Sequence, residues 1–239
     1  MKPIHGLTKV ELSELLATLN EPSYRTVQIW RWLHVNRVGN WDKMTNIPAT
    51  LRARLAESFL FFSMKVESRT KSTDASMKVL SRLHDGEAVE LVVIPALRRI
   101  TVCVSSQVGC KFDCVFCASG RSGFVRSLEA GEMVEEVLIA EQEYGEKPTH
   151  VVFMGIGEPF DNYDNVLKAV RIINDQEGLA IGARRITIST CGIVPGIQKL
   201  AGEGLQVELS VSLHAAADDL RTRLMPVNRR YPVASLLDT

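Results

Sequence analysis

The chain has 239 residues, 46% of them hydrophobic and 23% charged, and its 28 basic and 28 acidic side chains leave no formal net charge. That composition excludes a disordered or low-complexity chain, and the balanced charge gives no global field for nucleic acid, so any such contact must come from a local patch. The longest apolar stretches, Leu91 to Pro95 and Val207 to Leu213, fall far short of the about 20 residues that cross a bilayer, so no membrane partner is expected.

The opening MKPIHGLTKVELSELL lacks the apolar run and cleavage site of a secretory leader. The expected location is therefore the reducing cytoplasm, where thiols stay free or bind metal. From Thr8 to Leu19 the apolar residues recur near helical spacing, and Thr8 followed by Glu11 is a capping-box signature. Further periodic stretches at Tyr24 to Val35 and Pro48 to Phe61 make residues 1–64 a small helical accessory domain. Arg25, Arg31 and Arg37 with Trp30 and Trp32 suit either a helix with its indoles in the core or a surface that meets phosphates and stacks on bases. The pairs Arg184-Arg185 and Arg229-Arg230 are equally open.

Residues 65–96 change to β-rich runs around the turn signal Asp85-Gly86, which predicts a β-hairpin extension. From 97 to 239 strand-like segments (ITVCVSS, HVVFMG, RRITIST, QVELSVSLH) alternate with helix-like ones (Leu128 to Tyr144, Tyr163 to Asn174, Val194 to Ala201, and from Asp218). Four strand-then-helix repeats predict parallel βα units and an α/β fold. Glu129, Glu132, Glu135 and Glu136 load the early turns of the first helix, where negative charge suits the macrodipole, and the run reads as a solvated face.

Chemistry concentrates in GCKFDCVFC, where Cys110, Cys114 and Cys117 have the spacing C-x3-C-x2-C. Thiolates are soft ligands for zinc or an iron–sulfur cluster. Structural zinc wants four protein ligands, and the next histidine, His150, is thirty-three residues beyond Cys117 in a predicted strand. Three cysteines on a four-iron cluster instead leave one iron open to chelate a small molecule, and the loop follows the first barrel strand, at the end where parallel βα barrels keep their active sites. Taken alone, Gly157-Glu158-Pro159 is a turn, His214 a hydrogen-bonded core residue, Glu90 a charge on the exposed side of a strand, and Cys103 and Cys191 small buried residues.

The strings VELVVIP, CVSSQVGCKFDCVFCASG, FMGIGEP, ITISTCGIVP and LSVSLHAAADDLRTRLMPVNRRYP cover most of residues 89–232. In them the sequence resembles the radical S-adenosylmethionine (SAM) superfamily, and more closely its RlmN/Cfr family of RNA adenine methyltransferases. The resemblance implies a partial (βα) barrel of the radical SAM type, in which Cys110, Cys114 and Cys117 hold a [4Fe–4S] cluster and Gly157, Glu158, Ser189, Ser212, Leu213 and His214 contact SAM. It further implies that a carrier cysteine beyond the barrel is methylated by one SAM, that a second SAM supplies the radical that activates the methyl group, and that an RNA–protein adduct follows. Glu90 matches the family's glutamate that deprotonates the adduct, and Cys103 matches the cysteine that releases product by forming a disulfide with the carrier. The implied partners are 23S rRNA, tRNA and an electron donor such as flavodoxin or ferredoxin. The implied product is methylation of adenine at carbon 2, with carbon 8 the related outcome. The family's barrel has six units, and its carrier cysteine and a late SAM-contacting asparagine are expected beyond Thr239. Two other readings stay open: a radical SAM enzyme acting on another substrate, and a cluster-binding fragment without complete activity.

Overall fold

A computed structural model describes residues 1–121 and 123–239. Three helices open the chain: α1 (Lys9–Thr18), α2 (Tyr24–His34) and α3 (Ala49–Ser58). The capping box forms as expected, with Glu11 N donating to Thr8 Oγ1 and Thr8 N to Glu11 Oε2. In α2 the buried residues Thr26, Ile29, Trp30, Leu33 and His34 fall on one stripe. Trp30 is thus a core residue, and Trp32 packs partly buried with its indole N–H donated to Asn46 Oδ1 at 2.6 Å.

Seven strands form one mixed sheet whose spatial order follows the chain: β1 (Met64–Lys71), β2 (Met77–Leu83), β3 (Ala88–Ala96), β4 (Arg99–Cys103), β5 (His150–Phe153), β6 (Ile186–Thr190) and β7 (Glu208–Val211). The first four pair antiparallel and the last four parallel, so β4 belongs to both halves. The expected hairpin is present as β2 and β3, but it is not an appended extension. A third strand, β1, joins it, and β3 pairs with β4, which makes the segment the antiparallel half of the main sheet. The run KVESRTK hides β1 because only Met64 of that strand is buried and no apolar alternation marks it. On the parallel side lie α4 (Ala130–Tyr144), α5 (Tyr163–Asn174), α6 (Val194–Ala201), α7 (Asp218–Leu224) and α8 (Val233–Leu237). All four expected βα units are therefore formed. Strand β7 is the sheet's edge, and its Leu209 and Val211 remain exposed.

A second expectation from the sequence fails. The glutamates of α4 do not form a solvated face: Glu132, Glu135 and Glu136 are all buried. The helix is covered on one side by the sheet and on the other by the N-terminal turn Ile4–Gly6, so its first three turns have no solvent side. Close approach is possible because Gly6 and Gly131 face each other; a Cβ on Gly131 would sit 2.5 Å from Pro3 Cγ and 2.7 Å from Gly6 N. Each carboxylate is then used by a different neighbour. Glu132 receives the Arg126 guanidinium in a two-pronged pair at 2.8 Å and the Glu129 N–H. Glu135 accepts from Ser63 N and Ser63 Oγ, both at 2.8 Å, and lies 3.3 Å from His5 Nδ1. Glu136 accepts from Ser105 N at 2.8 Å, and its other oxygen has no partner among the described residues.

Removing Glu135 orphans Ser63 N–H and His5 Nδ1 in a sealed site, so Glu135→Ala should destabilise the chain by about 3 kcal/mol or more in equilibrium urea unfolding. A loss near zero would mean that the N-terminal turn docks without it. Glu136 behaves differently. Burial holds its carboxyl well above the ordinary 4.5, so its contribution to stability is complete below that value and is lost as pH rises through the folded-state pKa. Glu136→Gln keeps an acceptor for Ser105 N and removes that loss. Unfolding curves at several pH values should therefore show the variant gaining on wild type from pH 4.5 toward neutrality, and a pH-independent difference would contradict the assignment.

Candidate active site

The carboxyl ends of β4, β5, β6 and β7 open onto one cleft of about 730 Å³. Its walls include Cys110, Cys114 and Cys117 from the loop beyond β4, Gly157 and Glu158 beyond β5, Ser189 at the end of β6, and Ser212 and His214 beyond β7. Eight of the eleven expected site residues, separated by up to about a hundred positions, thus share one cleft. Leu213, Cys103 and Glu90 do not line it.

The cysteine loop is held at its base by a two-stranded ribbon of Gln107–Gly109 with Phe124–Ser127. Halfway along, Val115 N donates to Leu224 O at 3.0 Å, which clips the loop to α7. All five cysteines are free thiols, so the structure contains no disulfide. Burial pushes Cys110 up and Cys114 up to about 11. A soft cation that displaces these protons would therefore be held by thiolates in a partly desolvated pocket. The donor set suits a cluster in which each cysteine binds a different iron. Among the described residues no three His, Cys, Asp or Glu side chains converge on a single ion.

The loop that carries Gly157 and Glu158 is held from behind by Ser105, Ser106 and Gln107. Ser106 N and Gln107 N both donate to Ile156 O, Ser105 Oγ accepts from Ile156 N at 3.1 Å, and Gln107 Oε1 accepts from Glu158 N at 3.0 Å. Gly157 lies in the left-handed region at φ +104°, and a Cβ there would come within 2.6 Å of the Gln107 side chain. The position needs glycine both for its backbone and for its space. Glu158 is buried, with Oε1 accepting from Phe160 N at 3.0 Å and Oε2 from Cys191 N at 2.7 Å, and burial raises its pKa. The Cys191 and Thr190 side chains also bond this carboxylate, which lines the cleft and positions the loop after β6. His214, at φ +56°, packs on Phe116 with ring centroids 4.4 Å apart. A non-glycine residue held in this conformation at the rim of a cleft marks a site whose geometry the surroundings enforce. These features fit SAM: a glycine cradle, a buried carboxylate and hydroxyls beside the three cysteines.

Leu213 contributes its backbone, its carbonyl accepting from Arg221 Nε at 3.1 Å. Cys103 lies at the end of β4, half-buried, and burial followed by the charge of Glu136 pushes its thiol up to about 11. Glu90 is half-exposed on β3, where its carboxylate is 2.9 Å from Lys78 Nζ, and its carbonyl accepts from Ser105 Oγ at 2.8 Å. Several wall residues were missed as site residues, among them Cys191, read only as a small buried residue, and Met154, exposed beside Gly155. Position after a strand end, rather than residue type, was the available signal for both.

Residues 104–239 match the family model of the Radical SAM superfamily, and residues 3–60 match that of the Ribosomal RNA large subunit methyltransferase N-terminal domain. The chain is 45% identical over 238 residues to a probable dual-specificity RNA methyltransferase RlmN of Geobacillus kaustophilus, covering 98% of this chain and 65% of that protein. Against the protein of the same name from Thermoanaerobacter sp. the identity is 46%, covering 99% and 69%. A crystal structure of a radical SAM methyltransferase from Sphaerobacter thermophilus superposes with a TM-score of 0.95 at 45% identity, over 100% of this chain and 71% of that one. The chain therefore belongs to the radical SAM superfamily and, within it, to the RlmN family. It spans about two thirds of the length of these relatives.

Because the Gly157 cradle has no room for a methyl group, Gly157→Ala should weaken SAM binding on the order of tenfold or more, with little change in iron content. Equilibrium dialysis against labelled SAM measures this, and unchanged affinity would remove Gly157 from the binding surface.

Proposed function

We propose that this chain carries the catalytic core of an RNA methyltransferase that acts on carbon 2 of an adenine in 23S rRNA and in tRNA. The observation that carries the reading is the gathering of Cys110, Cys114, Cys117, Gly157, Glu158, Ser189, Ser212 and His214 around one cleft. A three-cysteine [4Fe–4S] cluster, when bound, supplies the one-electron chemistry that cleaves SAM. Around it the chain's own residues bind and orient: Gly157 admits the substrate backbone-close, Glu158 and the serine hydroxyls hold its polar groups, and Phe116 and His214 cover the rim.

Glu90 is assigned to take up the adduct proton, a reading supported by its half-exposed carboxylate 2.9 Å from Lys78 Nζ. Cys103 is assigned to release the product by a disulfide with a methyl-carrying cysteine. None of the other four thiols suits the carrier role, since three are cluster ligands and Cys191 is buried in the cleft wall, so the carrier belongs to sequence outside these 239 residues. Exposed Arg31, Arg184, Arg185, Arg229 and Arg230 are the candidate phosphate contacts, and a flavodoxin or ferredoxin is the implied electron source. No helix among the described residues is long and apolar enough to cross a membrane, and the assignment implies a cytoplasmic enzyme.

The test uses the full-length protein, reconstituted anaerobically and incubated with reductant, methyl-labelled SAM and protein-free rRNA or tRNA, followed by nuclease digestion. About four irons per chain and a broad absorbance near ~400 nm are expected, with label in 2-methyladenosine. Cys103→Ala and Glu90→Gln should each leave the cluster intact and accumulate covalent RNA–protein adduct. Label in 8-methyladenosine would correct the regiochemistry, and a loaded cluster without labelled RNA would point to another substrate.

A further inference from the structure

Arg221, on α7, is completely buried, yet among the described residues its hydrogen bonds reach only neutral oxygens. Nε donates to Leu213 O at 3.1 Å, Nη1 to Asn228 Oδ1 at 2.6 Å and Tyr231 O at 3.3 Å, and Nη2 to Cys191 O at 2.7 Å. Asp218 opens the same helix, but its carboxylate is solvent-facing and meets Arg221 through Asn228, whose Nδ2 donates to Asp218 Oδ1 at 2.8 Å. A guanidinium sealed from water without a directly paired anion is costly, and an anion held nearby would offset that cost.

The surroundings identify that anion. The Cys191 carbonyl that receives Nη2 belongs to a residue of the cleft wall, and Cys191 and Cys114 share a small apolar cluster with Met225 and Val227. The clip from Val115 N to Leu224 O fixes α7 against the cysteine loop. The negative groups close enough to act on Arg221 are the thiolate forms of Cys191 and Cys114 and, from the solvent side, Asp218. Three thiolates on a four-iron cluster leave it negative overall, and an added electron makes it more so.

We propose that Arg221 is the buried counter-charge of the cluster held by Cys110, Cys114 and Cys117, and that it raises the cluster's reduction potential. This rests on the cluster reading above. The step concerned is uptake of one electron from an external low-potential reductant, with no bond made or broken. A fixed positive charge in a partly desolvated site favours the more negative, reduced state. Arg221 is thus a positioning and tuning residue. The competing account is a neutral clamp that ties the loops after β6 and β7 to residues 228–231, for which charge would not matter.

Spectroelectrochemical titration of the reconstituted chain separates the two, with iron content and thermal melting confirming that each variant is folded and loaded. At the wild-type midpoint, Arg221→Gln should lower the ratio of reduced to oxidised cluster about tenfold, which for a one-electron couple is about 59 mV. Arg221→Lys, which keeps the charge and loses the fork, should stay within about twofold. Leu236→Glu supplies an independent variant. A Cβ on Gly192 would lie 3.1 Å from Arg221 Nη2 and 3.2 Å from Leu236 Cδ2, so residue 236 neighbours the guanidinium. A carboxylate there neutralises Arg221 while leaving its hydrogen bonds in place, and should lower the ratio in the same direction. Unchanged potentials in loaded Arg221→Gln, or in Leu236→Glu if the former does not fold, overturn the proposal. So does a lysine variant that shifts as far as the glutamine one. A wild-type chain that takes up no iron overturns the cluster reading itself, an outcome visible before any potential is measured.

Discussion

One turn of α4 buries three carboxylates, and much of the molecule is arranged around where they point. Glu132 fixes the ribbon that carries the cysteine loop, Glu135 fixes the N-terminal turn and the entry to β1, and Glu136 fixes the chain as it leaves β4. A buried carboxylate without a donor costs more than a missing apolar contact. The three therefore act as stringent positional constraints on segments remote in sequence. Their cost is recovered in specificity: α4 seats in one register, with the helical unit on one side and the sheet on the other.

From Glu136 the constraint passes directly into the cleft. Ser105 gives its N–H to Glu136 and its Oγ to the carbonyl of Glu90, and that same Oγ accepts from Ile156 N. One serine thus links the core helix, the strand bearing the expected proton acceptor and the loop bearing Gly157 and Glu158. Glu158 continues the chain of contacts through its carboxylate to Cys191 N, and Cys191 O continues it to Arg221 and so to α7. The cleft is a closed set of backbone hydrogen bonds to buried side chains, which is how a site formed at four strand ends can be rigid without regular structure.

Local patterns made the elements legible. The helices at Tyr163 to Asn174 and Val194 to Ala201 coincide with their expected spans because apolar periodicity and a Pro or Asn at the start mark them. Strand β1 was not legible, since its polar run leaves only Met64 buried and pairing alone holds it in the sheet. The α4 glutamates misled for the opposite reason. Four acids in eight residues look like a solvated face, and only the tertiary arrangement, with glycines 6 and 131 letting the N-terminal turn approach, reveals that there is no solvent there. Site residues were legible where a motif carried them and opaque where the backbone does the holding. Leu213 is an example, since its part is a carbonyl accepting from Arg221.

The mixed sheet also explains why the expected catalytic groups split into two sets. Parallel strands point their carboxyl ends the same way, so loops after β4 to β7 converge and build a pocket. Antiparallel strands send alternate ends away, so of β1 to β3 only the turn between β2 and β3 comes to that end, where Asp85 accepts from Arg126 of the ribbon. The rest of their contribution is a strand face beside the rim. Glu90 on β3 and Cys103 at the end of β4 lie across the junction, with Val92 registered on Cys103. Both stand outside the cleft wall, and Glu90 is tied to it through Ser105. Within the pocket the walls are already occupied by the cysteines, Gly157, Glu158 and the residues that follow β6 and β7. The junction strand β4, which alone pairs in both senses, is therefore where the cleft of the parallel half meets the strand face of the antiparallel half.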